Sequence, residues 1–600
     1  MPRLSFRPSR LALVLGAALV PAARRAPAQP APAPNASPTA SPNTPPNAAA
    51  AGVGAYQPAA DRIVAAALAD STAWRRVAEL TDTYGPRLAG SEALERALDR
   101  MLAMLRADGL ANVRGEQVMV PHWVRGEEGA ELLVPAAPGA PGAPNAPAVA
   151  RRKALRVLGL GGTVGTPPGG VTAPVLVVAS FDELARRAAE ARGRVVVFDV
   201  PFTAYRETAR YRAAGASAAA RAGAAAMLLR SVTPNSIDSP HTGSLRYDSA
   251  AARIPAAAVT VEDAQLMHRL QDRGLTPVVT LRLGARTLPD APSRNVVAEL
   301  VGRERPNEVV VLGGHVDSWD VGQGAMDDLG GFVAAWEAVR VLKRLGLAPR
   351  RTIRVVGWTN EENGLRGGRG YLAAHRGALA DHVFAMESDN GVFRPKGMRL
   401  VGTPAAVAAV APIGGLLRAL GADAAAPGEG EADIGPLLAA GVPGAALDVD
   451  GSRYFWYHHT AADTPDKLDP ADVARCVATF AVWAYVLAEM PARPPHGAPA
   501  AAAAGPRPAP TPVGGPVPPD ARVPGAGRRY GRRAPPISMA VCPRPRPPAS
   551  SQAVRWPQPP CSAAPSSPAP RPPRRWARRR PPTRTPRSAW NAAPPTWSRA

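Results

Sequence analysis

The segment VVVLGGHVDSWDVGQGAMDDLGGFVAAWEAV, residues 309–339, carries the strongest fold signal in this 600-residue chain. Its first residues form an apolar run typical of a buried strand, and its last residues have apolar side chains at the spacing of an amphipathic helix. His315, Asp317 and Asp327 lie between the two. This order predicts one strand–loop–helix unit of an α/β sheet, with reactive side chains placed where the strand ends.

Strands and helices continue to alternate on both sides of this segment. Strand-like runs occur at VVAELVG (296–302), TIRVVGW (352–358) and HVFAMES (382–388), and a helical pattern at GGRGYLAAHRGAL (367–379). Alternation of this kind implies crossover connections, which join parallel strands. We therefore predict the α/β class, with a mostly parallel sheet flanked by helices.

Side chains that bind metal ions follow the predicted strands. The predicted metal ligands are His315, Asp327, Glu362, Asp389 and His459. Imidazoles and carboxylates at the ends of consecutive strands are typical of a two-metal hydrolytic centre, and this mixture of donors favours two Zn²⁺ ions. Cys476 is the single cysteine between residues 29 and 491, so the sequence predicts no cysteine-based zinc site there.

Two further carboxylates adjoin the predicted ligands. Glu361 is the neighbour of Glu362, and neighbours on an extended segment point in different directions, so one can bind metal while the other faces the attacking water. We predict Glu361 as the general base that takes a proton from this water. Asp317 could accept the second ring N–H of His315 and so fix its tautomer, or it could cap the following turn.

The part of the chain before this centre divides in two by its pattern. Residues 53–131 show helical spacing and are predicted to be the N-terminal part of the catalytic domain. Residues 132–288 have short apolar runs such as APVLVV and RVVVFDV between Gly/Pro turns, without clustered catalytic residue types. They predict a smaller β-rich or α/β domain inserted into the catalytic domain, which continues at 289–491 and holds the dizinc site.

The N-terminus has the composition of an export signal. Residues 1–28 combine early arginines, the apolar run LALVLGAALV and the small residues Ala26-Pro27-Ala28, as in a cleaved signal peptide. Residues 29–52 are rich in Pro, Ala, Ser and Asn and predict a disordered linker or pro-segment. No apolar run is long enough to predict a transmembrane anchor, so we expect a secreted or periplasmic protein.

The formal net charge of +23 is concentrated at the two ends of the chain. The tail at 492–600 contains nineteen Arg, no Lys and one Asp, and the signal region contains five Arg without an acid. Residues 29–491 are therefore neutral, and the sequence indicates no specific nucleic-acid partner for them. The Pro/Arg-rich tail is predicted to be disordered; a polybasic surface-binding segment and an erroneous extension of the reading frame are the alternatives.

Several motifs together resemble those of a known family. GGHVDSWDVGQGAMDDLGG, WTNEENG, MESDNG, GEADI, AGVPGA and YFWYHHTAADT are similar to motifs of the carboxypeptidase Q type of zinc metallopeptidase, within the co-catalytic zinc aminopeptidase family. The resemblance extends from about residue 56 to residue 491, and the inserted segment resembles a protease-associated domain. It implies the zinc exopeptidase fold, a small peptide substrate and a homodimer.

The resemblance also implies how the predicted ligands are shared between two zinc ions. One ion would be bound by His315 and Asp389, the other by Glu362 and His459, and both by Asp327, with Glu361 as the acid/base. Some relatives have Tyr before the last histidine, where it donates to the oxyanion, whereas this chain has His458. His458 is therefore a candidate for that role, with packing in the core as the alternative. A second departure, Asn360 in place of a small residue before the Glu pair, should be tolerated.

Three classes of function fit these patterns. The first is an exported dizinc exopeptidase acting on dipeptides or short peptides, which the complete ligand set favours. The second is a one-zinc acyltransferase such as a glutaminyl cyclase, and the third is a non-catalytic receptor that keeps the fold. The residues do not separate a carboxypeptidase or dipeptidase from an aminopeptidase, although the resemblance favours action at a free carboxyl end. The candidates to bind that carboxylate are Arg87, Arg366, Arg369 and Arg453.

Overall fold

The computed structural model of the protein describes residues 52–136 and 149–498, and these belong to a single compact unit of the chain. The predicted signal peptide at 1–28, the predicted linker up to residue 51 and the tail after residue 498 lie outside the described residues. Within the described part, Pro470–Glu489 is long and apolar enough to span a membrane, but 78% of its apolar window is buried inside the protein, as in a core helix.

The described chain alternates between helices and strands over most of its length. The helices are α1 (Gln57–Leu68), α2 (Thr72–Tyr84), α3 (Glu92–Ala107), α4 (Phe181–Arg186), α5 (Ala188–Ala191), α6 (Tyr205–Arg221), α7 (Val261–Asp272), α8 (Gly330–Arg344), α9 (Arg366–His375), α10 (Pro404–Val410), α11 (Gly435–Ala439), α12 (Tyr454–Tyr457) and α13 (Pro470–Glu489). A π-helical turn covers Ala325–Leu329, and 3₁₀ turns cover Arg376–Asp381, Ala411–Leu420, Gly451–Arg453 and Pro465–Lys467.

Within residues 52–136 and 149–498 the strands form two sheets of eight strands each. They are β1 (Ala111–Val124), β2 (Glu128–Pro135), β3 (Val149–Leu155), β4 (Val157–Gly159), β5 (Val171–Val178), β6 (Val195–Phe198), β7 (Ala226–Arg230), β8 (Ala256–Val259), β9 (Val278–Leu283), β10 (Arg286–Leu300), β11 (Arg305–His315), β12 (Arg351–Trp358), β13 (His382–Glu387), β14 (Pro395–Val401), β15 (Ala424–Pro427) and β16 (Gly444–Val449).

The first sheet has the strand order β1-β10-β12-β11-β13-β16-β14-β15. Its centre is parallel, because β11 pairs in parallel with β12 and β13, and β13 with β16. Antiparallel pairs occur toward both edges, where β10 pairs with β1 and β12, and β14 with β16. The α/β class is confirmed, and parallel strands occupy the middle of the sheet as the alternating pattern predicts.

Helices cover both faces of this sheet. Along β11, Val310 and Leu312 face the large core that includes α8 and α13, whereas Val309 and Val311 face a smaller core with α9 and α11. Burial on both faces explains why β11 has a continuous apolar run and no alternation of polar and apolar residues. The N-terminus of α8 lies close to β11 because Gly314 of β11 has no side chain; a Cβ there would lie 2.5 Å from the Phe332 backbone nitrogen.

The second sheet takes its strands from residues 128–283 and has the order β3-β2-β9-β5-β6-β7-β8-β4. Two apolar cores lie on its opposite faces, with Val195 and Val197 in one and Val196 and Phe198 in the other. The predicted boundaries of the inserted domain, residues 132 and 288, do not coincide with the two ends of this sheet. Residues 128–131 already belong to β2, and Arg286 begins β10 of the first sheet, because β10 is one continuous strand that pairs with β1 along its length.

The last described residues extend past the predicted end of the folded chain. Arg493 donates to the Ala380 carbonyl oxygen at 3.0 Å, His496 Nε2 to the His382 carbonyl oxygen at 2.7 Å, and the Gly497 N–H to the Gly441 carbonyl oxygen at 2.9 Å. The predicted tail boundary at residue 491 is therefore too early. Residues 492–498 are Pro-rich and have no apolar periodicity. They still pack against the folded domain, because their polar groups donate to its backbone carbonyl oxygens.

Candidate metal centre

The carboxyl ends of three parallel strands meet at the predicted centre. His315 is the last residue of β11 and is in register with Trp358, the last residue of β12. Gly313 of β11 is in register with Glu387, the last residue of β13. The loops that leave β12 and β13 therefore begin beside His315, and they carry Glu361, Glu362 and Asp389 into one place.

A first group of donors forms around His315 Nε2. It lies 3.1 Å from Asp327 Oδ1 and 3.4 Å from Asp389 Oδ1. Asp327 reaches this position from the π-helical turn between β11 and α8. The family resemblance implies that His315, Asp327 and Asp389 bind one zinc ion, and the structure brings these three residues close together.

A second group of donors forms around His459 Nε2. It lies 3.1 Å from Glu362 Oε2 and 3.3 Å from Asp327 Oδ2. Asp327 thus has one carboxylate oxygen in each group. His459 follows α12 with a φ of 62°, in the left-handed region.

The two groups fit divalent zinc in donor type and spacing. Ligand atoms placed tetrahedrally at ~2.1 Å from zinc lie roughly 3.4 Å from one another. The nitrogen–oxygen distances within the two groups are 3.1 to 3.4 Å. Asp327 Oδ2 is buried and receives no hydrogen bond from any residue that the structure describes, as expected for an oxygen whose partner is a cation.

The charges at the centre also favour a bound cation. Burial disfavours the protonated form of His315 and His459, but the neighbouring carboxylates outweigh it and raise the pKa of both. Burial, together with the charge of Asp327, raises the pKa of Glu362 to about 7. Burial also raises the pKa of Asp389, and Asp327 adds to this. Several buried carboxylates repel one another here, and a divalent cation would remove that repulsion.

Glu361 lies at the edge of this centre. It is partly exposed and lines the cleft beside Asp389, but it is not among the close donor pairs around His315 and His459. Burial, then the charge of Asp389, raises its pKa well above the usual carboxyl value. The preceding residue, Asn360, has a φ of 65°, which asparagine adopts more readily than most residues and which explains its presence before the Glu pair.

The predicted contact of the Asp317 carboxylate with His315 is wrong. His315 Nδ1 donates instead to the Asp317 backbone carbonyl oxygen at 3.0 Å, and the nearer carboxylate oxygen is 3.9 Å from that nitrogen. The carboxylate accepts the backbone N–H groups of Glu361 at 3.1 Å and Glu362 at 3.4 Å. These two donors have no partner within their own turn, so Asp317 holds the turn that carries the Glu pair.

His458 packs against neighbouring aromatic rings and also faces the candidate metal centre. Its ring stacks on His459 with a centroid distance of 3.5 Å, and Tyr205 approaches it edge-on at 5.1 Å. Its Nε2 lies 3.5 Å from Asp327 Oδ2. Burial, then the charge of His459, lowers its pKa well below the usual value. A neutral His458 at this position could donate to a substrate oxygen or contribute a further nitrogen to the second donor group.

Two aspartates that the sequence reasoning did not single out hold the backbone at Asp327 and at His315 in place. Asp463 accepts the backbone N–H groups of Ala325 at 3.1 Å, Met326 at 2.8 Å and Asp327 at 3.2 Å. The carboxylate of Asp328 accepts the backbone N–H of His315 at 3.2 Å. The motifs HHTAADT and GAMDD contain these residues. In GAMDD the pattern does not rank the two adjacent aspartates, and in HHTAADT the attention falls on the histidines.

The second sheet contributes directly to the centre. Its connecting loop places Thr242 so that its carbonyl oxygen accepts from His459 Nδ1 at 3.2 Å, while its N–H donates to the His459 carbonyl oxygen at 3.0 Å. Ser244 Oγ donates to the Glu362 carbonyl oxygen at 2.9 Å. A cleft of about 890 Å³ lies between the two sheets at this point, lined by the donor groups and by Tyr205 and Arg212 of α6.

The chain is similar to a peptidase family over part of its described length and to curated relatives over most of it. The model of peptidase family M28 matches residues 295–484. Carboxypeptidase Q of Mus musculus is 46% identical over 418 residues, covering 70% of this chain and 86% of the relative. Carboxypeptidase Q of Homo sapiens is 45% identical over 423 residues, with coverage of 70% and 86%.

Solved structures agree with these relatives. The crystal structure of a peptidase M28 precursor from Shewanella amazonensis is 34% identical, with a TM-score of 0.69, and covers 74% of this chain and 99% of its own. A zinc aminopeptidase from Bacillus subtilis shares the fold at 19% identity and a TM-score of 0.53, covering 70% of this chain and 96% of its own. The chain therefore belongs to peptidase family M28, as a zinc metallopeptidase related to carboxypeptidase Q.

Proposed function

We propose that this protein is a dizinc exopeptidase that hydrolyses dipeptides or short peptides. The position of Asp327 is the observation that carries the proposal, because its two oxygens belong to two separate donor groups. A single zinc ion, as in the alternative acyltransferase function, needs only one such group. A receptor that merely keeps the fold has no need for the complete set of five donors, and all five are present and close together.

The residues support a division of roles at the centre. His315 and Asp389 would hold one zinc, Glu362 and His459 the other, and Asp327 both. Zinc bound there would act as a Lewis acid on the peptide carbonyl and make water a better nucleophile. Glu361 would take a proton from the attacking water and return it to the leaving amine, since its carboxylate lines the cleft without being needed as a ligand.

The wider expectations on location and assembly remain proposals. Export follows from the signal-like residues 1–28, which lie outside the described part of the chain. The homodimer and the protease-associated identity of the second sheet follow from family resemblance. Aminopeptidase specificity is the alternative to action at the carboxyl end.

Two measurements on the purified protein test the proposed dizinc exopeptidase function: its zinc content and its hydrolysis of dipeptides. We expect two zinc ions per chain by elemental analysis and release of free amino acids from unblocked dipeptides. A dipeptide acetylated at its amino end, and one amidated at its carboxyl end, show which terminus the enzyme requires. One zinc ion per chain at saturation, or no hydrolysis of any peptide by the zinc-loaded protein, would overturn the proposal.

A further inference from the structure

Three arginines line the cleft, and they differ in how their charge is balanced. Arg206 forms an ion pair with Glu429 at 2.7 Å, and Arg399 forms ion pairs with Glu431 and Asp448. Arg212 has no Asp or Glu partner among the residues that the structure describes. It is therefore the cleft arginine whose charge remains available to an anionic ligand.

Neutral neighbours hold the Arg212 guanidinium in a fixed place. Nη2 donates to the Tyr205 hydroxyl at 2.8 Å, and Nη1 donates to the Thr242 carbonyl oxygen at 3.3 Å. The Tyr205 ring lies 5.4 Å from the guanidinium carbon. On the other side, a Cβ added to Gly243 would lie 2.5 Å from Nη1, so the guanidinium packs directly on that backbone.

Arg212 keeps hydrogen-bonding capacity for a ligand. A guanidinium has five N–H groups, and the two bonds above use one on each terminal nitrogen. The buried Nε has no partner, and one N–H on each terminal nitrogen remains. Two parallel N–H groups of this kind match the two oxygens of a carboxylate.

Arg212 also lies close to the predicted zinc ligand His459. The Thr242 carbonyl oxygen accepts both from Arg212 Nη1 and from His459 Nδ1, so a single oxygen separates the guanidinium from a predicted zinc ligand. Arg212 and the donors Asp327, Glu362 and His459 also line the same cleft. A carboxylate held by Arg212 would therefore lie in the part of the cleft that holds the predicted zinc ligands.

We propose that Arg212 is the residue that binds the free α-carboxylate of the substrate. This inference rests on the proposed peptidase function and names the side chain that recognises the carboxyl end. It replaces the arginines suggested by the sequence, which do not line the cleft. Arg87, for example, is fully buried and donates to backbone carbonyl oxygens, including those of Val316 and Gln323.

A pair of substrates and three variants test the proposal. The substrates are an unblocked dipeptide and the same dipeptide with a carboxyl-terminal amide, each digested by the zinc-loaded full-length protein. We expect the wild type to prefer the free acid by about 10–100-fold in kcat/KM, the range for a hydrogen-bonded charge pair. In Arg212→Gln this preference should largely disappear, because kcat/KM should fall far more for the free acid than for the amide. Arg212→Lys should keep part of the preference, since it retains the charge but not the paired donors.

Arg210→Gln is the matched control, because Arg210 is an exposed residue of the same helix and does not line the cleft. It should keep the wild-type preference. Equal losses on both substrates in Arg212→Gln, or loss of zinc from this variant, would show a structural role and overturn the proposal. An unchanged preference would overturn it as well. If the wild type hydrolyses neither substrate, the proposed peptidase function itself is wrong.

Discussion

At the scale of single residues, the centre depends most on Asp327, which takes part in both donor groups. Without its carboxylate, two dications about 3.5–4 Å apart would repel each other with less compensation. We expect Asp327→Ala to bind at most one zinc tightly and to be inactive at any practical zinc concentration. Zinc titration followed by elemental analysis and activity measures this, and full two-zinc occupancy in the variant would contradict the bridging role.

Asp317 should behave differently, because it acts on the backbone and not on a metal ion. Asp317→Ala leaves the N–H groups of Glu361 and Glu362 without their acceptor, so the turn that carries both glutamates loosens. We expect a loss of about 10–100-fold in zinc affinity or activity, partly restored by added zinc. The same titration as for Asp327→Ala measures it, and a variant as inactive as Asp327→Ala would show that Asp317 does more than hold this turn.

Glu361 is proposed to carry a proton and not a metal ion. Glu361→Gln keeps the size of the side chain and removes the base, so turnover should fall by about 10²–10⁴-fold or more while both zinc ions stay bound. Kinetics and elemental analysis on one preparation separate these effects. Loss of zinc together with activity would place Glu361 among the ligands.

At the scale of helices and strands, Asp70 links the turn between α1 and α2 to α8. Its carboxylate accepts from the Thr72 N–H at 2.9 Å and forms ion pairs with Arg340 at 2.5 Å and Arg344 at 2.6 Å. Burial opposes ionisation of Asp70, but the Thr72 hydrogen bonds and Arg340 outweigh it and hold its pKa below the usual value. The folded state therefore favours the ionised form.

This link should make part of the stability depend on pH. The folded pKa is lower than the unfolded one, so the stabilisation is present above about pH 4 and is lost as the pH falls through the folded pKa. Asp70→Asn should cost about 1 kcal/mol of unfolding free energy at pH 7, after allowance for solvent screening. Urea unfolding at pH 7 and pH 3 measures it, and a wild-type–variant difference that grows at the lower pH would contradict the assignment.

At the scale of the whole molecule, the described chain ends in a segment that adds hydrogen bonds to the body. Truncation after Ala498 keeps the bonds of Arg493, His496 and Gly497, and should leave activity and thermal stability close to those of the full chain. Truncation after Pro491 removes them and should cost about 1–3 kcal/mol, with the loss seen as a lower Tm. Equal Tm values for the two truncations would show that residues 492–498 contribute nothing.

The sequence by itself determined the fold class, and it predicted the residues that the structure brings together at the candidate metal centre. Apolar runs followed by His315 and Asp389 are local signals, since burial on both sheet faces forces continuous apolar strands, and parallel strands bring their carboxyl ends together. Only the tertiary structure showed which side chains form hydrogen bonds with residues distant in sequence. Asp317 bonds the turn at Glu361, Asp463 holds the turn at Asp327, and Thr242 of the second sheet orients His459. Such contacts depend on how loops distant in sequence pack together, within the first sheet and between the two sheets, and no periodicity within a segment encodes that packing.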